Sequence, residues 1–86
     1  MNIHISNLSL NVMDTDIRKL FSPFGEIISA VVVRDQFNGR SKGTAFVDMI
    51  SDAQGAEAVK MLHNTLIDGK KISVSEVEYR PERFKN

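Results

Sequence analysis

Two short segments of this chain alternate apolar and polar residues at the two-residue period of a half-buried β-strand. They are residues 3–8 (IHISNL) and residues 42–49 (KGTAFVDM). A register that buried Phe46 would also bury Asp48, and burying an unpaired carboxylate costs several kcal/mol. Leaving one phenylalanine partly exposed costs only about 1.5 to 3 kcal/mol. The alternation therefore predicts that Phe46 points away from the core.

The rest of the chain predicts two helices and two further strands. A first helix is expected over residues 15–21 or 15–22 with Asp14 as its N-cap, and a second from Asp52, its cap, to about His63. A loop centred on Asn38-Gly39 separates the second and third strands. The two further strands are predicted at residues 27–34 and 72–77, and the strand of the second alternating segment at residues 44–50. The order β-α-β-β-α-β predicts an α+β, ferredoxin-like sandwich: a four-stranded antiparallel sheet with both helices on one face.

Such a sandwich leaves the second face of the sheet uncovered. The same alternation places two ring-bearing side chains on that face, His4 and Phe46. Small hydroxyl side chains and two valines are expected beside them: Ser6, Thr44, Ser73, Ser75, Val31 and Val33. An outward aromatic flanked by basic residues is how a sheet offers a stacking surface to an unpaired base.

Composition excludes several classes of function. The 86 residues suffice for one domain, and the absence of cysteine excludes disulfides and thiolate metal sites. No carboxylate pair, nucleophile–base set or metal-ligand cluster is apparent, so we expect no catalysis, no metal and no cofactor. The sequence has no secretory signal pattern and no bilayer-length apolar run, which predicts a cytoplasmic protein without a membrane partner.

The overall charge gives no sign of nucleic-acid binding, since 11 Lys and Arg balance 11 Asp and Glu. Phosphates respond to local charge, however. Arg34, Arg40 and Lys42 make the loop before the third strand basic, and Arg80 lies in a basic C-terminal segment. We therefore expect a domain over residues 1–78 and a short basic tail over residues 79–86.

Both alternating segments resemble the two signatures of the RNA recognition motif family. Residues 3–8 are similar to the shorter signature, aliphatic-aromatic-aliphatic-x-Asn-Leu, with His4 at the aromatic position. Residues 42–49 are similar to the octamer K/R-G-F/Y-G/A-F-V-x-F/Y, with Thr44 and Met49 as departures. Residues 34–43 are similar to the loop of small bacterial and plant glycine-rich RNA-binding proteins with one such domain. The resemblance covers about residues 2–78.

The resemblance implies that single-stranded RNA, with single-stranded DNA as an alternative, lies on the open face. Bases would stack on His4 and Phe46, while Thr44 can form only a hydrogen bond where the family stacks a third base. The family also implies hydrogen bonds from Ser6, Ser73 and Ser75, and phosphate contacts from Arg34, Arg40, Lys42 and Arg80. Post-transcriptional regulation is the kind of process that it suggests.

Two alternatives remain open at this point. The apolar part of the open face could hold a protein partner or a second copy of the chain, an interpretation favoured by the missing aromatic at Thr44. The tail carries Tyr79 and Phe84, which either fray or fold over the sheet, and fraying is the preferred interpretation.

Overall fold

The structure, a computed structural model, describes residues 1–78. Within them the predicted order of strands and helices is confirmed, with one short hairpin added. The elements are β1 (Asn2–Ser6), α1 (Asp14–Phe21), a 3-10 turn (Ser22–Phe24), β2 (Ile27–Arg34), β3 (Ser41–Met49), α2 (Asp52–Leu62), β4 (Leu66–Ile67), β5 (Lys70–Lys71) and β6 (Ser73–Val77).

Four of these strands form one antiparallel sheet in the order β2-β3-β1-β6. The two alternating segments therefore lie side by side as the central strands, β1 and β3. This order, with both helices packed on one face, is the ferredoxin-like arrangement predicted from the sequence.

The core lies between the helices and the inward residues of the strands. Ala45, Val47 and Met49 of β3 are completely buried, as the register argument predicts. They pack in one cluster with Ile17 and Phe21 of α1. Burial of each large apolar side chain stabilises the fold by about 1.5 to 3 kcal/mol. The core thus fixes which residues of the central strands face outward.

The N-cap predicted for α1 is wrong. Met13 is the capping residue, and its backbone N–H donates to the Asp16 carboxylate at 2.8 Å. Asp14 is the first residue of the helix, and its carboxylate instead accepts a hydrogen bond from the Val32 N–H at 2.8 Å. Asp14 therefore ties α1 to β2 rather than capping its own helix.

The cap predicted for α2 is also displaced by one residue. Ser51 is the cap, and its hydroxyl accepts a hydrogen bond from the Gln54 N–H at 3.1 Å. Helix α2 ends where predicted, because Asn64 adopts a left-handed conformation with φ of 69°.

The β4–β5 hairpin was not predicted. Asp68 and Gly69 have positive φ values of 54° and 80°, which is typical of a two-residue hairpin turn. The last strand consequently begins at Ser73. Strand β1 ends at Ser6 because Asn7 has a φ of 62°, and β3 begins at Ser41, three residues before its predicted start.

Candidate nucleic-acid interface

The outward residues of the sheet form a continuous row across all four strands. Strand pairing aligns Val31 of β2 with Phe46 of β3, Phe46 with His4 of β1, and His4 with Ser75 of β6. Each of these residues is at least partly exposed, whereas their inward neighbours are buried, except Glu76 on the edge strand β6. The placement of His4, Phe46 and Ser75 on the face that the helices of the described residues leave open agrees with the alternation of the sequence.

The two rings at the centre of this row touch. The centroids of His4 and Phe46 are 4.9 Å apart, and their planes are inclined by 44°. Tilted aromatic contacts at this separation are favourable, and they restrict the rotation of both side chains. The pair therefore presents a partly ordered π surface at the middle of an otherwise small-residue face.

Hydroxyl groups border the rings toward one end of the sheet. Ser6 pairs with Ser73 across β1 and β6, and Thr44 lies two residues from Phe46 on the same face of β3. Thr44 is half-buried and Ser73 is exposed. This end of the face can donate and accept hydrogen bonds, but none of its described residues carries a third ring.

A carboxylate borders the rings at the other end. Asp48 pairs with Ser29 on one side and Asn2 on the other. Its Oδ1 lies 3.6 Å from the ammonium of Met1, which also lies 3.4 Å from Asp52 and donates to the Met49 carbonyl at 2.6 Å. The ammonium offsets part of the negative charge at this end of the face.

The loop between β2 and β3 carries the predicted phosphate contacts. Arg34 pairs with Ser41 at its base, and the Arg34 guanidinium lies 3.9 Å from the Met13 sulfur. Arg40 and Lys42 are exposed. Three cationic side chains are thus brought to the end of the sheet that carries Thr44. Arg80 lies outside the described residues, as do Tyr79 and Phe84.

Asp35 holds this loop closed. Its N–H donates to the Arg40 carbonyl at 2.7 Å, and its carbonyl accepts from the Gly39 N–H at 2.9 Å. Its carboxylate accepts the N–H groups of Phe37 and Asn38, and these hydrogen bonds hold the pKa of Asp35 below its usual 3.8, with Lys42 adding a smaller effect. The one acid in the loop is therefore engaged by backbone donors.

The second histidine has a structural contact on the helical side. His63 Nδ1 accepts a hydrogen bond from the Val74 N–H at 3.0 Å, which secures the chain after α2 to the edge strand β6. Across residues 1–78, no group of three potential metal-ligating His, Cys, Asp or Glu side chains comes together. In that same stretch, no helix is long and apolar enough to cross a membrane.

The sequence patterns predicted no role for one exposed residue of this region. Phe37 is 88% exposed at the tip of the β2–β3 loop, beyond the sheet itself. Strand periodicity does not extend into loops, so the alternation that identified Phe46 could not identify it. The only available signal was a phenylalanine between Asp35 and the Asn38-Gly39 turn, where burial is not expected.

Comparison with known proteins identifies a family whose domain includes β1 and β3. A family model described as RNA recognition motif matches residues 3–73. The 28 kDa chloroplastic ribonucleoprotein of Nicotiana sylvestris is 38% identical over 81 residues, which are 94% of this chain and 29% of that protein. This chain therefore spans less than a third of that relative.

Solved structures extend the similarity to the whole fold. The crystal structure of RNA Binding Protein PG1 is 35% identical, with a TM-score of 0.92 over 95% of this chain and 99% of that one. A complex of the Sxl-lethal protein with RNA is 29% identical, with a TM-score of 0.80 over 86% of this chain and 46% of that one. The first is a single domain of matching size.

Proposed function

This chain belongs to the RNA recognition motif family, and from that premise we propose that it binds single-stranded RNA on the uncovered face of its sheet. The observation that carries the proposal is the contact between Phe46 and His4 at the centre of that face. Two adjacent rings offer π surface to bases of any identity. The proposal covers residues 1–78 as the binding domain and residues 79–86 as a basic tail.

The positions of the side chains around the two rings suggest which part of the RNA each of them contacts. Bases stack on His4 and Phe46, and the hydroxyl groups of Ser6, Thr44, Ser73 and Ser75 form hydrogen bonds with base edges or sugars. Phosphates contact Arg34, Arg40 and Lys42 at the rim, with Arg80 of the tail as a fourth proposed contact. With one ring fewer than the family normally uses, we expect weaker binding than a domain with three.

Chemical-shift perturbation with pools of short RNAs at low salt tests this proposal. We expect the amides of residues 4, 44, 46 and 73–75 and of the β2–β3 loop to shift together, while those of α1 and α2 stay unchanged. If RNA caused no shifts, and sedimentation showed a concentration-dependent dimer, the alternative protein-interaction function would replace it. The family match and the RNA complex of a similar domain favour RNA.

The same experiment with single-stranded DNA addresses the second ligand. Stacking depends on the base and tolerates either sugar, whereas hydrogen bonds to a 2′-hydroxyl form only with RNA. We propose that DNA of the same sequence binds the same face more weakly.

Non-catalytic RNA binding in post-transcriptional regulation is the proposed cellular role. A cytoplasmic location stays a prediction, since similar plant ribonucleoproteins are chloroplastic, and cell fractionation tests it.

A further inference from the structure

Phe37 is the most exposed large apolar side chain in the described part of the chain, at 88%. It does not belong to the core cluster or to the residues packed against it. Single exposed apolar residues are common and need no explanation by themselves. Two further features of the β2–β3 loop distinguish Phe37: the hydrogen bonds that fix the loop backbone and the positive charge around the ring.

The backbone beneath the Phe37 ring is fixed by local hydrogen bonds. The Phe37 N–H donates to Asp35 Oδ1 at 2.8 Å, and the Asn38 N–H donates to the same oxygen at 3.1 Å. Asn38 Oδ1 in turn accepts the Arg40 N–H at 2.9 Å, and Gly39 supplies the left-handed conformation, with φ of 74°. An ordered loop presenting a ring with only two rotatable bonds loses little entropy on binding.

The charge around this ring favours a polyanion. Arg34, Arg40 and Lys42 lie in or directly beside the loop, while the Asp35 carboxylate is engaged by backbone N–H groups. A strand that carries both phosphates and stackable bases matches an exposed ring among three cations. An apolar peptide would satisfy the ring but leave the cations unpaired.

The distance from the sheet separates this ring from the His4–Phe46 pair. Val31 lies beside Phe46, and Arg34 at the loop base is three residues further along β2. At about 3.3 Å per residue, the loop begins roughly 10 Å from the row of rings. Phe37 follows Arg34 by three residues, and it is almost fully exposed, so its ring is not packed on Phe46. The two rings therefore offer separate surfaces to a base.

We propose that Phe37 is a second, separate base-stacking position, which takes a nucleotide of the same RNA strand after that strand leaves the sheet face beside Lys42. The inference rests on the proposed function and deepens it. It predicts a dependence on RNA length: short RNAs fill the sheet face alone, and longer RNAs also reach the loop.

The test titrates wild-type protein and single variants with oligouridylates from four to twelve nucleotides, measuring affinity by fluorescence anisotropy. We expect Phe37→Ala to lower affinity about fivefold to tenfold for the longest RNAs and to leave the shortest unchanged. Phe37→Leu, which keeps apolar bulk without a π face, is expected to resemble Phe37→Ala. Phe37→Tyr should retain wild-type affinity at every length.

A spectroscopic variant gives an independent readout. The chain has no tryptophan, so Phe37→Trp places a single indole at the loop tip. We expect long RNAs to quench its emission, because a base stacks on it, and the shortest RNAs to leave it unchanged.

The outcomes separate the two proposals. If Phe46→Ala weakens binding at every length while Phe37→Ala equals wild type at every length, the second stacking position is overturned and the sheet-face function stands. If wild type binds no RNA, the proposed function fails and this inference fails with it. Dimerisation at high concentration that Phe37→Ala abolishes would make Phe37 a self-association contact and would also overturn the inference.

Discussion

Phe46 and His4 lie directly opposite each other on adjacent central strands, with their ring centroids 4.9 Å apart. We expect Phe46→Ala to weaken RNA binding by about 1 to 3 kcal/mol, because it removes the larger stacking surface. His4→Ala should cost less, since its ring is smaller. Because the rings touch, the double variant should lose less than the sum of the two. Isothermal titration with one RNA across this double-mutant cycle measures the coupling.

The control for this series is Leu66→Ala, which shortens an exposed apolar side chain in the β4–β5 hairpin, outside the four-stranded sheet. It should bind RNA as wild type does. Thermal unfolding of each variant verifies that the fold is retained. Equal affinities of wild type and Phe46→Ala would contradict the stacking model.

Thr44 allows the opposite experiment, a gain of affinity. It stands on the open face of β3, two residues from Phe46, at a position where the family pattern has an aromatic residue. We expect Thr44→Phe to strengthen binding by about 1 kcal/mol or more, because it adds a third stacking surface. Thr44→Val, which replaces the hydroxyl with a methyl group at nearly constant size, should weaken binding by about 0.5 to 1.5 kcal/mol, because it removes the proposed hydrogen bond. Weaker binding by a correctly folded Thr44→Phe would show that the hydroxyl is the group that matters there.

The outward position of Phe46 could be predicted because Asp48 shares its face. A two-residue period allows only two registers, and burying a carboxylate made one of them far more costly than the other. The same period fixed the inward residues of β1 and β3. The sheet and its open face were thus determined by patterns within single strands.

The features that were not predicted from the sequence depend on contacts between residues that are distant in the chain. Asp14 is a good N-cap by type, but its carboxylate accepts the Val32 N–H, 18 residues away, and a local pattern cannot register that bond. The β4–β5 strands contain two residues each, too few for any periodicity. The ammonium of Met1 beside Asp48 likewise joins residues 47 positions apart in the chain. Local patterns predict elements and faces, whereas packing decides the individual partners.

The loop cations should appear in the salt dependence of binding. For single-stranded nucleic acid, log K falls with log salt by about 0.7 for each phosphate neutralised. We expect Arg40→Gln and Lys42→Gln each to reduce that slope by up to about 0.7, because both side chains are exposed beside the proposed path of the strand. Fluorescence anisotropy titrations from low to moderate salt measure it. Lys60→Gln, on the exposed side of α2, is the matched control and should leave the slope unchanged.

Protonation of Asp35 should loosen the β2–β3 loop, and the sign follows from its lowered pKa. A carboxyl whose folded-state pKa is depressed contributes stability above the usual 3.8 and loses it as pH falls through the folded value. We therefore expect the amide signals of Phe37 and Asn38 to move together as the pH falls, with a midpoint below 3.8. NMR at stepped pH values records this. In Asp35→Asn the same signals should show no such step, and a midpoint above 3.8 in wild type would contradict the hydrogen-bonded carboxylate.

Two glycines with similar backbone angles should respond differently to the same substitution. Gly39 and Gly43 have φ values of 74° and 79°, so alanine is strained at both, at about 1 kcal/mol or somewhat more. A Cβ at Gly39 would meet nothing within 4 Å, whereas one at Gly43 would lie 3.1 Å from the Leu8 carbonyl oxygen. That close approach arises because the Leu8 N–H donates to the Gly43 carbonyl at 2.9 Å, joining β3 to the chain after β1.

We expect Gly39→Ala to lower the free energy of unfolding by about 1 kcal/mol and Gly43→Ala by about 2 to 3 kcal/mol. Urea denaturation followed by circular dichroism measures both. The excess at Gly43 reports the crowding against Leu8, because the backbone strain is common to the two variants. Equal losses would mean that β1 and β3 can separate there without cost. Since Gly43 immediately precedes Thr44, such freedom would contradict a sheet face held rigid beside its two rings.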